Sequence, residues 1–448
     1  MTNGRGRTRW RSWLRPGVGI KRWLLVVLLG ELLLAVGLVV FIRQQGRAFA
    51  PGTPGDSVIS LVSLQFLPDW ARPLLLLAAG AVVVGFGLWR FMRAVVEPYA
   101  PSDTSLVDDL YQRRARARGP RVVAIGGGTG LSTLLRGLKE VTSNITAVVT
   151  VADDGGSSGR LRDELGVPPM GDIRNCIVAL ADAEPQMAEL LQYRFPANGN
   201  DDAFKGHALG NLLIAALTDV AGGDFEEGVR LSNRVLAVRG SVVPVAPVPL
   251  TLHAELADGT TMDGQSEIMR TRGIRRVWVT PSDVRAADEA VDAIAAADLV
   301  IYGPGSLYTS ILPSLLVPGM RDALERTAAS RLFVCNVATQ VGETEGFSLA
   351  DHMAAFRAHG LDNAVDAILL NNNFKARVPE KYPAAPVRGE AADLGRNGPQ
   401  VFLRDVVDSD NAHRHDSAKL AAAISLLHER HVIRHRPAAA VAPAPVAA

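Results

Sequence analysis

The sequence predicts an α/β fold: a three-layer, Rossmann-like domain with a mainly parallel sheet, preceded by two transmembrane helices. Three observations predict it. Short apolar runs such as residues 122–125, 145–151 and 299–302 have the length of buried strands, and stretches with helical spacing alternate with them. Two of these runs, 122–125 and 299–302, pass at once into glycine-rich turns. Upstream, two apolar runs at residues 23–42 and 73–92 are each long enough to cross a bilayer.

The elements follow in order. Residues 1–22 form a basic tail with no acidic residue, and 23–93 read as a two-helix membrane hairpin. The first run ends in Phe41, Ile42 and Arg43, unlike a signal-peptide cleavage site. Glu31 interrupts it and is expected to face the second helix, one carboxylate costing less than the surrounding leucines and valines gain. An apolar piece at 58–67 would lie at the membrane interface. Arginines crowd the outer flanks and thin out in the loop, which predicts a two-pass protein of the cell membrane with both termini and the main domain cytoplasmic. Residues 94–119 read as a basic linker suited to anionic headgroups, 120–436 as the ligand-binding domain, and 437–448 as a disordered Pro/Ala tail. Lys plus Arg number 47 against 46 Asp plus Glu, so no global charge favours nucleic acid. Two cysteines, Cys176 and Cys335, stand far apart beside apolar runs and read as core thiols, without metal spacing.

The candidate chemistry gathers in residues 121–176. The run 122–125, then Gly126, Gly127, Gly128, Thr129 and Gly130, then leucines at helical spacing, is a strand, a glycine turn and a helix. In that order they make a phosphate cradle, because glycine admits an anion close to the backbone and a helix N-terminus presents free N–H groups. A second strand ends in Asp153 and Asp154 ahead of a Gly/Ser loop and Arg160. Asp172, Arg174 and Asn175 open the next helix, where capping and site roles both fit. The strand at 299–302 is followed by Gly303, Gly305, Ser306 and Thr309, which suit either helix capping or phosphate binding. Two such turns in one parallel sheet suggest a diphosphate-containing ligand. Asn336 and Asn371 to Asn373 end further strands on the same edge, where open α/β sheets bind ligands. Residues 242–279 read as a small β-rich excursion. A dinucleotide fingerprint lacks its third glycine, which is Leu131 here, although Asp153 stands about where a ribose-binding acid falls.

The ordered motifs GGGTGL, TVADDGGSSGRLR, GDIRN, KGHALGN and GPGSLYTSILP, spread over residues 121–434, resemble the YvcK branch of the CofD-like family. That branch comprises gluconeogenesis factors, or UDP-N-acetylglucosamine-binding proteins. The resemblance implies a ligand-binding regulator that links central carbon flux to cell shape and peptidoglycan precursor supply, with no catalytic residue and UDP-N-acetylglucosamine as ligand. It adds His207 and Asn211 to the site, and implies uracil stacking for Tyr382 and diphosphate or sugar contacts for Arg414. The implied partners are the nucleotide-sugar, the membrane, proteins of cell-wall synthesis and a second copy of the chain. Two alternatives stay open. One is a CofD-like transferase moving a phospholactyl group onto a deazaflavin, with Mg²⁺ on Asp153 and Asp154, joined by Asp172. The other is a nicotinamide oxidoreductase. The membrane hairpin departs from most relatives, which are expected to be soluble.

Overall fold

The computed structural model describes residues 20–45, 68, 70–96, 106–181, 185–196, 204–376, 378–379 and 382–429. The basic tail up to residue 19, the apolar piece at 58–67 and the Pro/Ala tail lie outside them. The chain divides into two compact units, Met1–Gln112 and Arg113–Ala448.

The first unit contains two helices of 26 residues, Ile20–Gln45 and Ala71–Val96. They run antiparallel with their backbones close. A Cβ added to Gly30 would lie 2.6 Å from Val84 Cγ2, and one on Gly80 would lie 2.7 Å from Leu34 Cγ. Small residues are what allow such an approach. Glu31 is exposed and does not face the second helix as expected, because Gly30 takes the inward position and the next residue turns about 100° away. Among the described residues no helix is long and apolar enough to cross a membrane, so the two spans read from the sequence stay expectations. Part of the stretch read as a linker forms a helix, Leu106–Ala117, with Arg114 and Arg116 in its last turn. Cations there suit the negative end of the helix dipole.

The second unit is built on seven strands: β1 (Val122–Gly126), β2 (Ile145–Val149), β3 (Ser241–Pro244), β7 (Leu299–Tyr302), β8 (Ser330–Val334), β9 (Ala367–Asn371) and β10 (Gln400–Arg404). Their order is β10-β9-β8-β7-β1-β2-β3, and every pairing is parallel. The residues of β1, β7 and β9 are all buried, as expected of strands covered on both faces. From β1 the sheet grows through β2 to β3 one way, and from β7 through β8, β9 and β10 the other. Right-handed crossovers then put helices on opposite faces of the two halves, which gives the three layers. The strand order reverses between β1 and β7, and this is where such a sheet leaves a crevice.

The β-rich excursion divides. β3 joins the main sheet, while β4 (Thr251–Leu256), β5 (Thr261–Asp263) and β6 (Ile274–Thr280) form a separate antiparallel sheet in the order β5-β4-β6. The Gly/Ser stretch after β2 is not the expected loop but the start of a helix, Gly156–Leu165. Cys176 and Cys335 are free and buried, as expected of core thiols.

Candidate functional site

The two glycine turns meet at the crevice. Ile125 of β1 sits beside Tyr302 of β7, so both turns leave the same edge of adjacent strands. A Cβ on Gly130 would stand 2.4 Å from the Pro304 carbonyl oxygen and 3.1 Å from Gly305 Cα, so only glycine lets the turns touch. Gly127 is extended, and its constraint is space: a Cβ there would lie 2.4 Å from Asp172 Oδ2 and 2.8 Å from Thr150 Cγ2.

The first turn is open. Its helix, Gly128–Leu138, has no side-chain cap, and Thr129 is exposed. The first N–H groups of a helix have no partner within it. Among the described residues no side chain accepts from the Thr129 or Gly130 amides. Asp172 lies beneath this end. Burial, then the neighbouring Asp153 carboxylate, push its pKa up to about 7, against a hydrogen bond from the Gly128 amide and the charge of Arg174. Asp153 is raised too, chiefly by burial, while its Oδ1 accepts the Gly155 amide at 3.0 Å. Asp154 turns towards the small sheet, where its Oδ1 accepts the Ser266 amide at 2.9 Å.

The second turn is closed from inside. Gln340 Nε2 donates to Ser306 Oγ at 2.8 Å. Asn336 accepts the Gly305 amide at 3.2 Å and donates to the Gly305 carbonyl at 2.9 Å. Ser306 occupies the N-cap position without capping, and buried Glu343 does that work. Its Oε1 accepts from the Tyr308 amide at 2.5 Å and the Thr309 amide at 2.8 Å, and Thr309 Oγ1 reaches Oε2 at 3.4 Å. Burial raises the Glu343 pKa to about 7 despite these donors. The helix begins with a π turn, in which Ile311 N–H reaches the Ser306 carbonyl at 3.0 Å. Such turns are often found at functional sites.

A polar chain flanks the first turn. Arg174 donates to Asn211 Oδ1 and to Asn175 Oδ1, each at 3.0 Å. Asn211 Nδ2 donates to Ser157 Oγ at 3.0 Å, and Ser157 Oγ meets His207 Nδ1 at 3.2 Å. Burial above all, and then Arg194, lower the Arg174 pKa, and its buried Nε has no partner among the described residues. The expected Arg174, Asn175, Asn211 and His207 thus join in one chain through Ser157, a serine that nothing in the Gly/Ser run singles out, while Asp172 lies within reach of the Arg174 charge.

Tyr382 and Arg414 stand further along the same edge. The segment carrying Tyr382 is tied to the residues after β8, with Ala385 N–H donating to Thr339 Oγ1 at 3.0 Å. The Tyr382 ring stacks on His413, centroids 4.3 Å apart and planes 9° apart, so one face of the expected stacking residue is already covered. After β10 the chain returns across the carboxyl ends of β9 and β8. Val406 N–H donates to Asn371 Oδ1 at 3.3 Å, and His415 Nε2 reaches the Cys335 carbonyl at 3.3 Å. Arg414 is exposed on this strap. Among the described residues no group of three or more His, Cys, Asp or Glu side chains could hold a metal. The half-buried Asp153 and Asp172 pair is the arrangement on hand for a cation that is also held by substrate phosphates.

Known proteins resemble the chain along this outline. The profile of the family described as 2-phospho-L-lactate transferase CofD matches residues 122–407. The gluconeogenesis factor of Bacillus subtilis (strain 168) is 46% identical over 309 residues, 68% of this chain and 96% of its own length. A relative from Nostoc sp. (strain PCC 7120) is 42% identical over 431 residues, 92% of this chain and 91% of its own. A crystal structure of a Bacillus halodurans protein at 2.60 Å superposes with a TM-score of 0.64 at 43% identity, covering 68% of this chain and 99% of that one. A match as wide as that to the Nostoc protein must take in much of the N-terminal unit, so the extension is not peculiar to this chain.

Proposed function

Since the chain belongs to the CofD family, among gluconeogenesis factor relatives, we propose that its large unit binds UDP-N-acetylglucosamine and acts as a ligand-responsive regulator. The observation that carries this reading is the contact of the two glycine turns at the switch point, with the Thr129 and Gly130 amides of the first helix N-terminus taken by no side chain among the described residues. A diphosphate suits that end of a helix dipole. The regulator would couple gluconeogenic carbon flux to peptidoglycan precursor supply and cell shape through protein partners in cell-wall synthesis. Nucleic acid is not among the proposed partners.

We further propose that the first unit is a membrane hairpin with both termini cytoplasmic. Leu25, Leu28, Leu32, Leu74 and Val82 point outward from the helix pair, as lipid-facing side chains would. Arg90 lies over the Trp23 ring at 4.4 Å, an aromatic and arginine pairing suited to a membrane interface.

The Asp153 and Asp172 pair favours a second reading, a Mg²⁺-dependent transferase acting on a deazaflavin. Calorimetry separates the two. The large unit can be studied alone, because relatives of about its length are whole proteins, one of them crystallised. It is titrated with UDP-N-acetylglucosamine, with NAD, and with a deazaflavin plus Mg²⁺. The regulator reading expects saturable UDP-sugar binding that Tyr382→Ala or Arg414→Ala weakens about tenfold or more. Silence towards the UDP-sugar with Mg²⁺-dependent deazaflavin binding would replace it with the transferase.

A further inference from the structure

A second cavity lies on the far side of the small sheet's edge strand. β6 is the outer strand of that sheet, and its free edge faces the helices Leu312–Leu316 and Leu349–Ala358. The space between holds about 450 Å³, within the range of small-molecule sites. Arg276, Trp278 and Ser282 line one side, and Leu316, Ala358 and His359 the other.

Charge around this cavity is one-sided. Nearby arginines have carboxylates: Arg275 meets Glu255 at 2.9 Å, Arg272 meets Glu345 at 2.8 Å, and Arg326 meets Asp322 at 3.3 Å. Arg276 and Arg321 have none among the described residues. Arg276 lies over the Trp278 ring, 5.9 Å from its centroid, and Arg321 donates to the His359 carbonyl at 2.6 Å. His359 adds no charge to balance them. Its Nδ1 meets the Ala355 carbonyl at 2.7 Å and its Nε2 accepts the Val277 amide at 2.9 Å, which is the neutral tautomer. Burial and then the two guanidiniums lower its pKa further. A partly apolar cavity with the Arg276 guanidinium on its wall, and with Arg321 held on the His359 carbonyl beside it, is matched by an anion with an apolar body.

We propose that this cavity is a second binding site, taking a small carboxylate or phosphate with an aromatic or apolar body, its anionic group at Arg276 and its body against Trp278 and Leu316. The site is wired to the crevice. The His359 ring packs edge-on against Tyr308, centroids 6.1 Å apart, and the Tyr308 amide is one of those held by Glu343 beside the second glycine turn. Binding here does not depend on the UDP-sugar reading.

Trp278 lies apart from the other five tryptophans, all within the first 89 residues, which makes it a usable reporter. The full chain is labelled with fluorotryptophan, and the Trp278 resonance is assigned by Trp278→Phe. Phenyl phosphate is titrated as the probe, with inorganic phosphate and benzyl alcohol testing charge and ring separately. The expected result is a saturable shift of the Trp278 resonance with phenyl phosphate, at least tenfold weaker with either control. Arg276→Gln should weaken it about tenfold. Ala358→Phe, an exposed position at the cavity wall, should abolish it while the other tryptophan resonances stay in place. A Trp278 resonance that ignores phenyl phosphate at millimolar concentration overturns the proposal. So does one that responds equally in wild type and Arg276→Gln.

Discussion

The two glycine turns begin alike and end differently. Each follows a buried strand of the same sheet, each opens a helix, and each has a buried or half-buried acid beneath the helix start, with a pKa near 7. At the second turn Glu343 faces three donors, Asn336 braces both polar groups of Gly305, and the helix N-terminus is satisfied from within. At the first, Asp172 is shared between the Gly128 amide, Asp153 and Arg174, and Thr129 faces outward. The same local motif therefore leaves an open turn in one place and builds an internal clamp in the other. Which it becomes is decided by the acid supplied from elsewhere in the chain.

The largest test of this asymmetry exchanges the touching glycines. Gly130→Ala puts a Cβ against the Pro304 carbonyl, where backbone must move, and should cost more than about 3 kcal/mol, the upper end of overpacking. Gly305→Ala finds its nearest neighbour, the Gly127 oxygen, at 3.4 Å and should cost less than about 1 kcal/mol. Urea unfolding of the large unit reads both, and equal costs would mean that the turns do not lean on one another as described.

Next in size is the clamp's pH dependence. Glu343 has a folded pKa raised to about 7 from 4.5, so the folded state holds its proton longer than the unfolded chain does. Its contribution is fully present below about pH 4.5 and is lost as pH rises through 7, on the order of 3 kcal/mol in all. Glu343→Gln keeps an oxygen for the Tyr308 and Thr309 amides and has no proton to lose. Its stability between pH 5 and pH 8 should accordingly be flatter than that of the wild type. A variant with the wild-type slope would show that Glu343 is not the titrating group.

Both glycine turns are legible in the sequence, and the clamp on the second is not. β1 and β7 were marked by apolar runs passing straight into glycine, a signal contained within a few residues. Asn336 was visible as a polar group at a strand end. Glu343 was not, because its partners Tyr308 and Thr309 lie some thirty-five residues earlier, and capping from that distance leaves no local pattern. Its one trace is an acid in the Gly342-Glu343-Thr344 run a few residues past β8. The helix Gly156–Leu165 escaped because it opens on glycine and serine and buries few apolar groups. β10 escaped because an edge strand is half exposed and loses the apolar run that marks its neighbours. The network around Ser157 shows the same limit: the family resemblance brought His207 and Asn211 to notice, but the hydroxyl joining them belongs to a different stretch of chain.

The smallest expected effect falls on the open side. Asp172 is also raised to about 7, by burial first and by Asp153 second, so its contribution too falls as pH rises from about 4 through 7. Unlike Glu343 it keeps some access to solvent, which screens its interaction with Asp153 and reduces the effect. Asp172→Asn removes the charge and keeps an oxygen for the Gly128 amide. It should therefore stabilise the large unit at pH 8 by only about 1 kcal/mol, against wild type at the same pH. Calorimetric melting at pH 5 and pH 8 measures this, with the gain confined to pH 8. A loss at pH 8 would mean that the ionised Asp172 is held by Arg174 more firmly than Asp153 repels it, and that the first turn is clamped from within much as the second is.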